Sequence, residues 1–127
     1  MDESGQDNGL NHWVMDGYGC IKNLRSIEVA CTILEEMPKC LGFVKNTLPH
    51  VFSYREKKSL EEGISGVTMT DPRGHISLHV YPARRLVCLD IFSSKALHLE
   101  LIIDLMRGYF GFQSHGSQSF TRGIPGR

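Results

Sequence analysis

The segment Gly74-His75-Ile76-Ser77-Leu78-His79-Val80-Tyr81-Pro82 concentrates side chains that could do chemistry. Read as a strand, it turns Ile76, Leu78 and Val80 to one face and His75, Ser77, His79 and Tyr81 to the other. The apolar set belongs under helices; the polar set then lines an open sheet face, where a small ligand or another subunit could lie. At about 3.3 Å per residue the two histidines sit about 13 Å apart, too far to share one ion, so no metal site is expected. Ser77 and His79 are same-face neighbours roughly 6–7 Å apart at Cα, but no carboxylate can be assigned to orient a Ser–His pair. The plain reading of this face is a partly exposed strand with hydrogen-bonded polar residues. Cys20, Cys31, Cys40 and Cys88 form no C-x-x-C pair, which argues against a zinc ribbon or a redox dithiol and for free thiols in a reducing compartment.

The elements that must position these residues follow from periodicity and punctuation. A strand is predicted from Leu10 to about Asp16, ending at Gly17-Tyr18-Gly19. Leu24, Ile27, Cys31 and Leu34 recur at helical spacing beside Ala30 and Met37, predicting a helix with Asn23 as N-cap and a stop near Pro38. Gly42 to Tyr54 reads as a strand broken around Pro49, and residues 55–63 as a charged, solvated loop. Ile64–Thr70 and Gly74–Pro82 form a hairpin through Asp71-Pro72-Arg73-Gly74, whose residues suit a type I turn. Leu86–Phe92 is almost continuously apolar and reads as a central strand. Lys95–Phe110 is a second amphipathic helix stopped by Gly111, and a last short strand could begin at Phe112.

The predicted fold is therefore α+β: a two-layer sandwich of one mostly antiparallel sheet with two helices on one face. Residues 1–9 are expected to be a disordered N-terminus, 10–115 a single domain and 116–127 a flexible Gly/Ser/Arg-rich tail. A chain of 127 residues is long enough to bury a core without a metal or disulfide staple. Hydrophobic content of 41% with 22% charged residues is that of a globular domain. Fourteen basic residues balance fourteen acidic ones, which argues against a nucleic-acid partner. No apolar run approaches a membrane span, and the polar N-terminus carries no leader pattern, so no membrane association and a cytoplasmic location are expected.

Gly74-His-Ile-Ser-Leu-His-Val-Tyr-Pro82, followed by Cys88-Leu-Asp-Ile-Phe-Ser-Ser94, resembles the core motif of the prokaryotic, pyruvoyl-dependent S-adenosylmethionine decarboxylases, roughly E-S-H-I-S-I-H-T-W/F-P-E and then D-[IV]-F-[TS]-C. His50-Val-Phe52 is similar to the family's H-x-F, Gly63-Ile-Ser65-Gly66 to its G-V-S-G, and Val14-Met-Asp-Gly-Tyr18-Gly-Cys20 to its first strand and turn. The likeness spans about residues 10–112. It implies an S-adenosylmethionine decarboxylase-like fold, a dimer with pockets near the subunit contact, and a place in polyamine (spermidine) metabolism. It also implies a self-made cofactor. In the family the serine after the glutamate attacks the preceding carbonyl, the ester β-eliminates, and the serine becomes an N-terminal pyruvoyl group, an electron sink for decarboxylation. A cysteine in the second motif donates the proton to the product.

The departures fall on that chemistry. By the resemblance the precursor serine is Gly74, the preceding glutamate Arg73, the catalytic cysteine Ser94, and the acid after the proline Ala83. Ser65 to Gly74 is one residue longer than the family spacing, with Pro72 inside it. His79 and Ser65 match residues that assist processing, and Phe52 the aromatic that stacks on adenine. Against these stand plainer readings: Phe52 as core, Ser94 as the N-cap of the following helix.

The expectation is therefore a non-self-processing relative, with no pyruvoyl cofactor, that binds S-adenosylmethionine or a related small amine. Its ligand-binding residues would be Phe52, Ser65, His79 and Ser94, with His79, Ser94 and Ser65 as candidates for any catalysis. It would act alone as a homodimer or regulate an active paralogue in a mixed oligomer. Two alternatives stay open. One is a pyruvoyl-independent enzyme acting on S-adenosylmethionine, whose sulfonium is already a good leaving group. The other is an active decarboxylase, if Ser77 or Ser65 is the true precursor.

Overall fold

The computed structural model describes residues 9–71 and 73–125, without the Lys45 side chain. Its sheet runs through β1 (Leu10–Tyr18), β2 (Lys45–Asn46), β3 (His50–Arg55), β4 (Glu62–Asp71), β5 (Gly74–Tyr81), β6 (Leu86–Ser93) and β7 (Ser114–Arg122). The lateral order is β2-β4-β5-β6-β1-β7, with β3 also on the outer edge of β4, and every pairing is antiparallel. Helices α1 (Ile27–Cys40) and α2 (Leu99–Phe110) complete the predicted α+β sandwich.

Period-two burial decides which face is which. Ile76, Leu78 and Val80 of β5, Val87, Leu89 and Ile91 of β6, and Trp13 and Met15 of β1 are buried with Ile33, Leu34 and Met37 of α1 and Ile102, Met106 and Phe110 of α2. The alternate residues, including His75, Ser77, His79 and Tyr81, stay half-buried on the other face. The strand alternation read from the sequence is thus the alternation found.

Several boundaries differ, each for a local reason. α1 begins after Ser26, whose Oγ accepts from the Val29 N–H at 3.1 Å, so Ser26 and not Asn23 is the N-cap. Asn23 instead adopts φ +62 and its Nδ2 donates to the Tyr109 carbonyl at 2.6 Å. Pro38 lies inside α1; in the last turn it forfeits a single N–H, and its buried ring continues the stripe of Ala30, Ile33, Leu34 and Met37. α2 starts at Leu99, behind the N-cap residue His98, so Ser94 does not cap it; the backbone N–H of Lys95 is taken by Ser93 Oγ at 3.0 Å. Gly111 does end α2, at φ +61, with its N–H on the Arg107 carbonyl.

The predicted flexible tail is corrected over residues 116–122. They belong to β7, paired with β1 from Tyr18↔Ser114 to Leu10↔Arg122. All nine β7 residues are exposed, so the strand is held by backbone pairing and carries no apolar alternation for a sequence reader to find. The β4–β5 hairpin forms as predicted, with Thr70 opposite Gly74; its turn type rests on Pro72, which is outside the described residues, as are residues 1–8 of the N-terminus. No helix among the described residues is long and apolar enough to cross a membrane.

Candidate functional site

Antiparallel register places one residue from each strand side by side on the open face. Phe52 of β3 is opposite Ser65 of β4, Ser65 opposite His79 of β5, His79 opposite Cys88 of β6, and Cys88 opposite Asp16 of β1. A line of five side chains thus crosses the sheet at right angles to the strands. Ser65 Oγ and His79 Nδ1 are hydrogen-bonded at 2.9 Å. This fixes the imidazole at one nitrogen and leaves Nε2 for something else. The His79 ring also stacks near Tyr81, with centroids 6.5 Å apart and an interplanar angle of 14°. Phe52 is 64% exposed, so it is not core; its ring offers a free stacking surface at the end of the row.

Gly74 and Ser94 are elsewhere. Gly74 opens β5, five residues and so about 16 Å from His79 along the strand. His75 pairs with Phe92, which brings Gly74 beside the β6 end that carries Ser93 and Ser94. One chain therefore gathers the expected site residues in two groups: Phe52, Ser65 and His79 in one, position 74 with Ser94 in the other. Gly74 is packed against backbone: a Cβ built there runs into the Phe92 carbonyl oxygen and meets Thr70 Oγ1 at 3.1 Å.

Cys88 and Asp16 are the residues that sequence reasoning missed. Their signal was present in the alternation, since Cys88 shares a face of β6 with Asp90 and Phe92; it required knowing that β6 lies between β5 and β1. Burial, a hydrogen bond to Asp16 and the nearby Asp16 and Asp90 charges push the Cys88 thiol up to about 12. The folded state then holds this proton more tightly than the unfolded chain. Its contribution to stability is complete below the usual thiol range near pH 8.5 and is lost as pH rises towards 12. Denaturant titrations at stepped alkaline pH check this: stability of the natural protein should fall more steeply above about pH 8.5 than that of Cys88→Ala. Parallel slopes would remove the coupling. All four cysteines are free, and exposed Cys40 should react with a disulfide reagent well before Cys88.

The architecture and this row define a class: a two-layer α+β sandwich whose uncovered sheet face carries a hydrogen-bonded Ser–His pair beside an exposed aromatic ring. A profile of the S-adenosylmethionine decarboxylase family matches residues 11–123. The chain belongs to that family. The crystal structure of the adenosylmethionine decarboxylase from Aquifex aeolicus is similar in fold, with a TM-score of 0.66 at 21% identity over 91% of this chain and 92% of that one. No curated protein matches.

Proposed function

We propose that this chain is a family member that does not process itself, and that it binds S-adenosylmethionine or a related small amine in the cytoplasm. The observation that carries this is residue 74. Glycine has no hydroxyl to attack the preceding carbonyl and no β-substituent to eliminate, and the space a side chain would need is taken by the Phe92 carbonyl. A pyruvoyl group does not fit here, and no step is derived through one. What this chain retains is a place to bind. Phe52 offers a stacking face, and the Ser65–His79 pair offers a donor and an acceptor along the same row. Ser94 contributes from the other group only if a second copy lies across the open face.

That face suits a homodimer or a mixed oligomer with an active paralogue, because it leaves Phe52, Met69 and Phe120 exposed. Precursor serines at Ser77 or Ser65 are disfavoured by place: each lies within a strand paired on both sides, so a cut would sever the sheet.

Intact-mass measurement followed by calorimetric titration with S-adenosylmethionine tests the reading. The expected result is one uncut chain of 14.3 kDa and saturable binding. Phe52→Ala should weaken that binding by about fivefold to a hundredfold, as loss of a base-stacking ring costs roughly 1–3 kcal/mol. A self-cleaved chain, or no binding at millimolar ligand, would overturn it. Product formed in the titration mixture would instead mark a pyruvoyl-independent enzyme, with His79, Ser65 and Ser94 as the groups to replace.

A further inference from the structure

A cavity of about 470 Å³ lies at the end of the sheet where the chain enters α1, and none of Phe52, Ser65, His79 or Ser94 lines it. Its lining is mixed: Leu24, Ile27, Pro82 and Tyr54 supply an apolar and aromatic part, and the larger, polar part includes the charged groups of Arg25, Arg55 and Glu62. Arg25 comes from the loop before α1, Arg55 ends β3 and Glu62 begins β4, so three separate elements deliver them to one place. Both guanidiniums turn to the one carboxylate: Arg25 Nε lies 3.4 Å and Arg55 Nη2 3.9 Å from its two oxygens. The nearby Arg84 and Glu61 are paired with each other at 3.3 Å, so they do not rebalance the trio.

The arginine side chains are about two-thirds exposed, at 67% and 65%, and such surface pairs contribute little to folding. Long, exposed and sharing one anion, they can exchange it readily for another. The charges also select the exchange partner. Two guanidinium forks share one carboxylate, so they can take up a second, planar carboxylate, and a cation can then join Glu62. A plain amine would leave both guanidiniums without a gain, and a hydrocarbon would use only the walls. An ammonium group beside the carboxylate would take up the Glu62 oxygens that the arginines release. The volume is that of a small-molecule site.

We infer that this cavity is a second ligand site, separate from the open-face row, for a free α-amino acid with an apolar or aromatic side chain. The α-carboxylate sits between Arg25 and Arg55, the α-ammonium on Glu62, and the side chain against Leu24, Ile27, Pro82 and Tyr54.

Titration of the full chain with L-phenylalanine is the test, with phenethylamine lacking the carboxylate and N-acetyl-L-phenylalanine lacking the ammonium. L-phenylalanine should bind saturably, and each analogue about tenfold or more weakly, the usual weight of one charge-assisted contact. Arg25→Gln and Arg55→Gln should each weaken L-phenylalanine to a similar degree while thermal unfolding shows the fold intact. His79→Ala should leave it unchanged. No saturable heat at millimolar L-phenylalanine, equal binding of phenethylamine, or loss of binding in His79→Ala would each overturn the inference. The S-adenosylmethionine titration is read separately: if it fails while L-phenylalanine binds, the row's assignment falls and this one stands.

Discussion

Gly74→Ser should lower the thermal midpoint of this protein by roughly 10 °C and leave the chain uncut, although it writes a serine at the position that the resemblance matches to the family's precursor. The reason is steric. The new Cβ points at the Phe92 carbonyl oxygen, a backbone atom at the first pair of the β5–β6 ladder, which cannot rotate away as a side-chain terminus would. Overpacking costs about 1–3 kcal/mol where neighbours can give, and a backbone neighbour places this site at the upper end. For a chain of this size each kcal/mol shifts the midpoint by about 3–4 °C. Gly74→Ala should produce nearly the same drop, since the clash begins at Cβ and owes nothing to the hydroxyl. Differential scanning calorimetry and intact mass on both variants decide the matter. A serine variant that melts like the natural protein, or one that yields two fragments, would show that the hairpin can still open into a cleavage junction.

The second large effect is expected in the core. Leu89 is fully buried in β6, paired with buried Leu78 on one side and buried Met15 on the other. Leu89→Ala should cost about 2–5 kcal/mol, as the lost transfer energy adds to a cavity that two flanking strands cannot collapse. Urea unfolding should show a lower midpoint with an unchanged slope, because the surface exposed on unfolding is nearly the same. On the opposite face of the same strand Cys88→Ala should cost well under half as much, its side chain being only half-buried. Equal costs at 88 and 89 would mean that the open face is itself packed, as it would be in a tight dimer, and sedimentation at two concentrations would then separate the cases.

Alternation made much of this protein legible before any coordinates. Ile76, Leu78 and Val80 against His75, Ser77, His79 and Tyr81 specifies both the buried and the open face of β5, since a strand has no third option. Residues 116–122 of β7 read as loose because Gly-Ser-Gln-Ser-Phe-Thr-Arg bears no apolar period; their order comes from main-chain pairing with β1, to which every residue type but proline contributes equally. Ser94 reads as a cap because helix starts are written in short polar residues, yet Ser93 intercepts the Lys95 N–H and the helix waits until Leu99.

By itself, then, the sequence determined the layers, the hairpin and the family, all of which depend on residue type and on contacts within a few positions along the chain. Only the tertiary structure decided what stands next to what. Strand order and register bring Ser65 to His79, set Cys88 between His79 and Asp16, and keep Gly74 about 16 Å from them along β5. They also draw Arg25 and Arg55 to Glu62 at the sheet end. Those neighbours are brought together by main-chain hydrogen bonds across strands and by burial of the opposite face, and neither leaves a mark in the spacing of the residues themselves.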